Sequence, residues 1–125
     1  SGGKADGDLS TITFDTDWNE TASGALVAGS TIAIDYDLDR LTECRGSTNG
    51  SDVWGVTGYA SFDGGEAVAF GVSRIDGGVT VPVTAELAIP ANAASGAFWF
   101  EINNRWGCHA YDSANGANYR FQIGS

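Results

Sequence analysis

The chain has 125 residues, which is enough for one domain with a single hydrophobic core. Its formal net charge is -10, from 16 acidic residues against six basic ones, so it offers no basic patch for nucleic-acid phosphates or anionic membranes. The partners that remain are neutral polymers, cations or a basic protein, and the alternative is that the acidity serves only solubility or life in salty water.

The beginning of the chain is glycine-rich and charged, so we expect a disordered tail at residues 1–8 before a single domain at residues 9–125. The sequence has no methionine and no recognisable signal peptide, and it lacks the run of about 18 apolar residues that a membrane helix needs. We therefore expect a processed, secreted protein that is a monomer or a module of a larger one.

Alternation of apolar and polar residues, the period of a half-buried strand, runs through most of the chain. The segment STIAIDYDLDR predicts one strand of about eight or nine residues with an apolar and an acidic face. The apolar face carries Ile32, Ile34, Tyr36 and Leu38, and the acidic face carries Asp35, Asp37 and Asp39.

Two glycine-rich turns punctuate the middle of the chain, Asp63-Gly64-Gly65 and Asp76-Gly77-Gly78. After the second, apolar residues at odd positions from Val79 to Ile89 predict a further strand, in which Pro82 indicates an edge or a bulge. About eight strands joined by such turns predict an all-β fold, an antiparallel β-sandwich.

The two cysteines are Cys44 and Cys108. In an extracellular protein such a pair predicts one disulfide, here tying the strand that ends near Cys44 to the loop around Cys108. Metal binding by two isolated cysteines and one histidine is the weaker interpretation, because no CxxC spacing occurs.

The stretch AFWFEINNRWGCHAYDSANGANYRFQI, near the end of the chain, is the candidate site. Its strands are separated by flat rings and amides, a mixture that suits stacking on a sugar and hydrogen bonding to its hydroxyls. The candidate carbohydrate-binding residues are Asn103, Asn104, Trp106, His109, Tyr111, Asp112 and Asn118, with Asn115 in the same loop.

Of the four tryptophans, Trp54 shares a face with apolar residues and is expected in the core. Trp99 lies opposite the Phe98 and Phe100 face, so it faces solvent or a second layer. Trp18 and Trp106 stand in polar turn sequence, and we expect both to be at least partly exposed.

Catalysis and metal binding receive little support from the sequence. His109 is the only histidine, and no nucleophile or metalloprotease pattern accompanies it. A dyad of His109 with Asp112 is the alternative to a histidine that merely hydrogen-bonds. Alternate carboxylates such as Asp35 and Asp37 are about 7 Å apart on a strand, too far for tight chelation by all of them. We expect no enzyme and no cofactor, with a structural calcium ion left open.

The sequence YDSANGANYR, from Tyr111 to Arg120, resembles the W/Y-D-N-N-x-G-x-N-Y motif of starch-binding carbohydrate-binding modules of family 21. Ser113 and Ala114 replace the two motif asparagines. This resemblance implies an immunoglobulin-like β-sandwich that binds polysaccharide without cleaving it. It further implies that Tyr111 stacks on sugar, that Asn118 contacts sugar or fixes the loop, and that Asp112 and Tyr119 hold the loop.

The whole chain also resembles an uncharacterised group of secreted bacterial proteins with two signatures. These are Arg-Leu-x-x-Cys-Arg, here Arg40 to Arg45, and Gly-Cys-x-Ala-Tyr/Trp-Asp-Ser, here Gly107 to Ser113. We interpret the chain as a carbohydrate-binding or lectin-like domain. The alternative is a structural, adhesion or protein-interaction domain, with or without stabilising calcium.

Overall fold

A computed structural model describes residues 10–114 and 116–124 of the chain, so the expected tail at residues 1–8 lies outside the described residues. The described part contains thirteen strands and one short 3-10 helix, Leu38–Arg40. The strands are β1 (Ser10–Phe14), β2 (Glu20–Ala22), β3 (Thr31–Tyr36), β4 (Ser47–Thr48), β5 (Ser51–Asp52), β6 (Trp54–Phe62), β7 (Val68–Gly71), β8 (Ser73–Asp76), β9 (Val79–Pro82), β10 (Ala85–Ala88), β11 (Ser95–Asn104), β12 (His109–Asp112) and β13 (Tyr119–Gln122). No helix in this part of the chain has the length and apolar character needed to cross a bilayer.

Two sheets form the body of the molecule. The first has the order β10-β3-β1-β2, and the second has the order β12-β11-β6-β7 with β13 also paired to β11. The short pairs β4–β5 and β8–β9 form separate two-stranded sheets. The all-β, sandwich-like prediction is therefore confirmed.

Strand direction departs from the prediction at one place. β1 and β3 are parallel, with Ile12 opposite Ile34, whereas the other described strand pairs between named strands are antiparallel. The cause is the short strand β2, which occupies one side of β1. The chain then crosses to the other side of β1 before β3 begins, and β3 runs in the same direction as β1.

The core lies between the two main sheets, where their alternating apolar side chains meet. Phe14 of β1 packs edge-on against Phe100 of β11, with ring centroids 4.7 Å apart. Tyr36 of β3 stacks on the same Phe100 ring at 4.0 Å. Phe14, Phe98 and Phe100 are fully buried, and the predicted core residue Trp54 is also buried. These rings join the sheets into one core.

The predicted long strand STIAIDYDLDR is shorter than expected, because β3 ends at Tyr36. Asp37 caps the following 3-10 helix, and its carboxylate accepts a hydrogen bond from the backbone N–H of Asp39 at 3.0 Å. Leu38 remains buried in this helix. The prediction that Asp35, Asp37 and Asp39 share one strand face is wrong, since a capping aspartate offers the backbone an alternative to the ladder.

The run from Val79 to Ile89 is likewise two strands. β9 pairs with β8 in a hairpin whose turn residues, Gly77 and Gly78, have φ angles of 60° and 84°. β10 pairs instead with β3 in the first sheet. Pro82 ends β9, where its missing N–H removes a donor from the ladder, so the prediction of one continuous strand is wrong.

The edge of the second sheet beside β11 is formed by two strands. Asp112 of β12 lies opposite Phe100, whereas Tyr119 of β13 lies opposite Phe98. The chain thus advances seven residues while the ladder advances two, which places five additional residues in a loop between β12 and β13. The YDSANGANYR motif therefore covers the end of β12, this loop and the start of β13.

Candidate functional site

The outer face of the second sheet collects rings and polar groups from three strands. In β11 the even residues are buried, so the odd residues point outwards. Register places Tyr59 of β6 beside Trp99, Tyr111 of β12 beside Glu101, and His109 beside Asn103. We call this set the outer-face group; its members are Tyr59, Trp99, Glu101, Asn103, His109 and Tyr111.

Glu101 is the centre of the outer-face group. Its carboxylate accepts a hydrogen bond from the Tyr59 hydroxyl at 3.2 Å, and His109 Nδ1 lies 3.4 Å from its other oxygen. The negative charge of Glu101, which lies opposite Tyr111 in the strand register, raises the pKa of the Tyr111 hydroxyl. Burial, followed by the bond to Glu101, raises the pKa of Tyr59. Both phenols therefore stay protonated and act as donors near neutral pH.

The rings of the outer-face group differ in how freely a ligand can reach them. Trp99 and Tyr59 are half-buried and stack on each other, with centroids 5.7 Å apart and planes inclined by 16°. Tyr111 is 55 % exposed, and the imidazole of His109 meets its ring edge-on at 5.7 Å. Tyr111 thus presents the free ring, and its neighbours fix its orientation.

The hairpin between β11 and β12 holds two further candidate residues. Asn104 uses its side-chain oxygen to accept hydrogen bonds from the backbone N–H groups of Trp106 and Cys108, at 2.9 and 3.2 Å. It therefore shapes the turn. Trp106 is 61 % exposed, as expected, and one side of its ring packs against the backbone of Gly46.

Asp112 lies inside the molecule. One carboxylate oxygen accepts hydrogen bonds from the Tyr36 hydroxyl at 2.6 Å and from Arg40 Nε at 2.8 Å, and the other accepts from the Tyr119 hydroxyl. Burial, followed by the bond to Asp112, raises the pKa of Tyr36. With its carboxylate engaged in this buried cluster, Asp112 fixes the strand that carries Tyr111.

Asn118 lies at the far end of the motif loop. Its backbone has a φ of 63°, and its N–H donates to the carbonyl of Ser113 at 2.7 Å, which closes the loop. It also lines a cleft of about 200 Å³ beside Trp99 and Arg120. Asn115, from the same loop, lies outside the described residues.

Sequence reasoning placed Asn103, His109 and Tyr111 in the site, and the structure brings these three onto one face. The sequence reasoning missed Tyr59 and Glu101 as site residues and left the position of Trp99 open. The alternation in β11 is a local signal that puts Trp99 and Glu101 opposite the apolar face. The pairing with Tyr59 depends on the register of strands about 40 residues apart, which composition does not encode.

A cavity of about 570 Å³ lies elsewhere, where β1 and β3 end. Its acidic lining includes Asp15, Asp35, Asp37 and Asp39. Its three rings are covered: Trp54 by the Arg45 guanidinium at 4.4 Å, and Tyr36 and Phe14 by Phe100. Within residues 10–114 and 116–124, no group of three or more His, Cys, Asp or Glu side chains could hold a metal ion.

The two sequence signatures meet in space. The predicted disulfide joins Cys44 of the first signature to Cys108 of the second. The same two segments are also joined by an ion pair between Arg40 and Asp112, whose Nε and Oδ2 atoms are 2.8 Å apart. Cys44 lies in a turn after the 3-10 helix, not at the end of a strand as expected. One covalent bond and one buried ion pair therefore anchor the outer-face strand β12 to the loop after β3.

The fold and the site define a sandwich-like all-β protein with an aromatic outer face and a disulfide-anchored edge strand. The chain belongs to the family described as "Family of unknown function (DUF6209)", whose model matches residues 7–125. No curated protein and no solved structure gives a significant match. These comparisons do not support the resemblance to starch-binding modules of family 21.

Proposed function

We propose that the chain is a non-catalytic carbohydrate-binding domain that holds a neutral extracellular polysaccharide on the outer-face group. The observation that carries this proposal is Tyr111, an exposed ring that lies opposite Glu101 in the strand register and is met edge-on by His109. A buried ring would instead favour a purely structural or adhesive domain, whereas Tyr111 and Trp106 are 55 % and 61 % exposed.

The chemistry of the outer-face group suits a sugar. The apolar C–H face of a pyranose stacks on an aromatic ring, and its hydroxyls exchange hydrogen bonds with amides, carboxylates and phenols. Glu101 supplies acceptors, and Asn103 and His109 supply both donors and acceptors. The group contains one carboxylate, whereas most glycosidases use a pair, so we assign it to binding.

A location outside the cell is part of the same proposal. The Cys44–Cys108 disulfide is supportive, because disulfides persist in oxidising environments. An exposed, shallow site gives weak binding for each domain, and repeated sugar units on a polymer would raise the overall avidity.

Affinity electrophoresis in gels containing starch, glycogen, xylan, β-glucan or mannan tests the proposal. We expect retardation in at least one gel and a loss of at least tenfold in affinity on Tyr111→Ala, since a central aromatic contact is worth about 2 kcal/mol. Tyr111→Phe, which keeps the ring, should retain most of the binding.

Val79→Ala is the matched control, because Val79 is 56 % exposed and lies on the β8–β9 hairpin, which contributes no residue to the outer-face group. It should leave retardation unchanged. Wild-type mobility that is normal in all five gels would contradict carbohydrate binding. Undiminished retardation of Tyr111→Ala would place the site on another surface.

A further inference from the structure

A further cleft adjoins the outer-face group across the edge strand β12. It has a volume of about 300 Å³, at the lower end of the range for small-ligand sites. We call it the edge cleft; the residues that matter to its chemistry are Trp18, Arg40, Glu43, Tyr111 and Ser113. Tyr111 belongs to both sites, so the edge cleft begins where the outer-face group ends.

Trp18 is held in an unusual conformation at this cleft. Its φ of 65° lies in the left-handed region, which bulky residues rarely adopt, and its side chain is 58 % exposed. The turn is fixed by Asp15, whose carboxylate accepts from the N–H groups of Asp17 and Asn19 at 3.0 and 3.1 Å. The fold therefore maintains backbone strain to present a ring to solvent, a pattern found at binding sites.

Arg40 supports the Trp18 ring from inside. Its guanidinium carbon lies 4.7 Å from the ring centroid, and its side chain has no solvent exposure. Each of its nitrogens donates to a protein acceptor: Nε to Asp112, Nη1 to the carbonyls of Asp15 and Asn19, and Nη2 to Glu20 and Tyr119. The guanidinium is thus committed to the protein, and the edge cleft does not attract anions through it.

Besides Tyr111, the groups that a ligand meets are therefore a ring, a carboxylate and a hydroxyl. Trp18 offers a face for stacking, the exposed Glu43 offers acceptors, and Ser113 offers a hydroxyl. This set is uncharged apart from Glu43, which disfavours anions. Its chemistry is that of a sugar-binding subsite.

We infer that the edge cleft is a second saccharide subsite, in which Trp18 stacks on a sugar unit of the same neutral polysaccharide chain that Tyr111 contacts. This inference rests on the proposed function. A chain crossing β12 would occupy the outer-face group and the edge cleft together, so affinity should increase with the length of the oligosaccharide until both are filled.

Isothermal titration with defined oligosaccharides of the polysaccharide that is retained in the gels tests the subsite. The probes are the disaccharide and the hexasaccharide, for example cellobiose and cellohexaose if β-glucan is retained. The wild type should bind the hexasaccharide at least tenfold more tightly than the disaccharide. Trp18→Ala should lose about tenfold in affinity for the hexasaccharide, while Trp18→Phe should lose less.

Because Trp18 also covers Arg40, the thermal stability of each variant must be measured in parallel. Glu43→Ala provides an independent variant, since Glu43 is exposed and makes none of the bonds to Arg40. It should weaken hexasaccharide binding several-fold at an unchanged melting temperature.

The outcomes separate the two proposals. If the wild type is retained but Trp18→Ala and Glu43→Ala bind the hexasaccharide like the wild type, the subsite is wrong and the outer-face function stands. If the wild type binds none of the polysaccharides, both proposals fail. Loss of binding in both variants, with Val79→Ala unaffected, would establish the subsite.

Discussion

Adjacent residues of the motif have opposite tasks. Tyr111 points outwards and is 55 % exposed, while Asp112 points inwards and is buried among Tyr36, Arg40 and Tyr119. The twofold period of a strand produces this division, since neighbours face opposite sides. The exposed ring therefore rests on a strand whose inner side is fixed by a buried ion pair.

Removing the buried carboxylate should be costly. Asp112→Asn leaves the fully buried Arg40 guanidinium charged, with only the partly exposed Glu20 carboxylate, 3.4 Å away, as a counter-ion. We expect a loss of about 3–5 kcal/mol in the free energy of unfolding, the usual consequence of breaking a buried pair. Urea unfolding at pH 7 measures it.

The control for this change is Asp39→Asn, which also removes one carboxylate from an arginine, here Arg45 at 3.2 Å. Because the Asp39 side chain is 71 % exposed, its loss should cost no more than about 1 kcal/mol. Equal effects of the two substitutions would show that the Arg40–Asp112 pair contributes no more than a surface pair.

Among the strands, β6 shows how a glycine makes room for the core. Gly58 occupies an inward position of this central strand, and a Cβ there would lie 2.3 Å from the ring of Phe70 on the neighbouring strand β7. Phe70 in turn packs edge-on against Phe100 at 6.2 Å. The ring therefore occupies the space that any side chain at position 58 would need.

Gly58→Ala should destabilise the fold through overpacking. Phe70 would have to leave its position against Phe100, at a cost of about 1–3 kcal/mol. Gly71→Ala is the matched control, because Gly71 lies in the adjacent strand with open space at its Cβ position and without a left-handed φ. Thermal melts of both variants decide the matter, and equal melting temperatures would contradict the packing argument.

Strand-level structure was only partly predictable from the sequence, for physical reasons that particular residues show. Alternation correctly identified Trp54 as buried, and turn composition identified Trp18 and Trp106 as exposed, because both are local properties. The end of β3 was missed because Leu38 stays buried in strand and 3-10 helix alike, so the apolar pattern does not change. The outer-face pairing of Tyr59 with Trp99 was missed because it depends on register between distant strands.

At the scale of the whole molecule, charge constrains the ligand. The net charge of -10 resides on 16 acidic residues, four of which line the acidic cavity at the ends of β1 and β3. The arginine that lines the edge cleft, Arg40, is engaged in bonds to the protein. Long-range repulsion should therefore exclude polyanions, while binding of a neutral chain depends on stacking and hydrogen bonds that salt hardly affects.

The last prediction compares the retained neutral polysaccharide with polygalacturonate at about 10 mM and about 150 mM salt, where the screening length falls from about 30 Å to about 8 Å. The Kd for the neutral polymer should change by less than about twofold, because no ion pair with the ligand is broken. Polygalacturonate should fail to bind at either concentration. The melting temperature should rise with salt, since screening relieves repulsion among the acidic residues. This rise would serve as the control, because it would show that the added salt screens the charges of the protein. Salt-dependent loss of the neutral ligand, or retention of polygalacturonate, would show instead that cationic groups take part in binding.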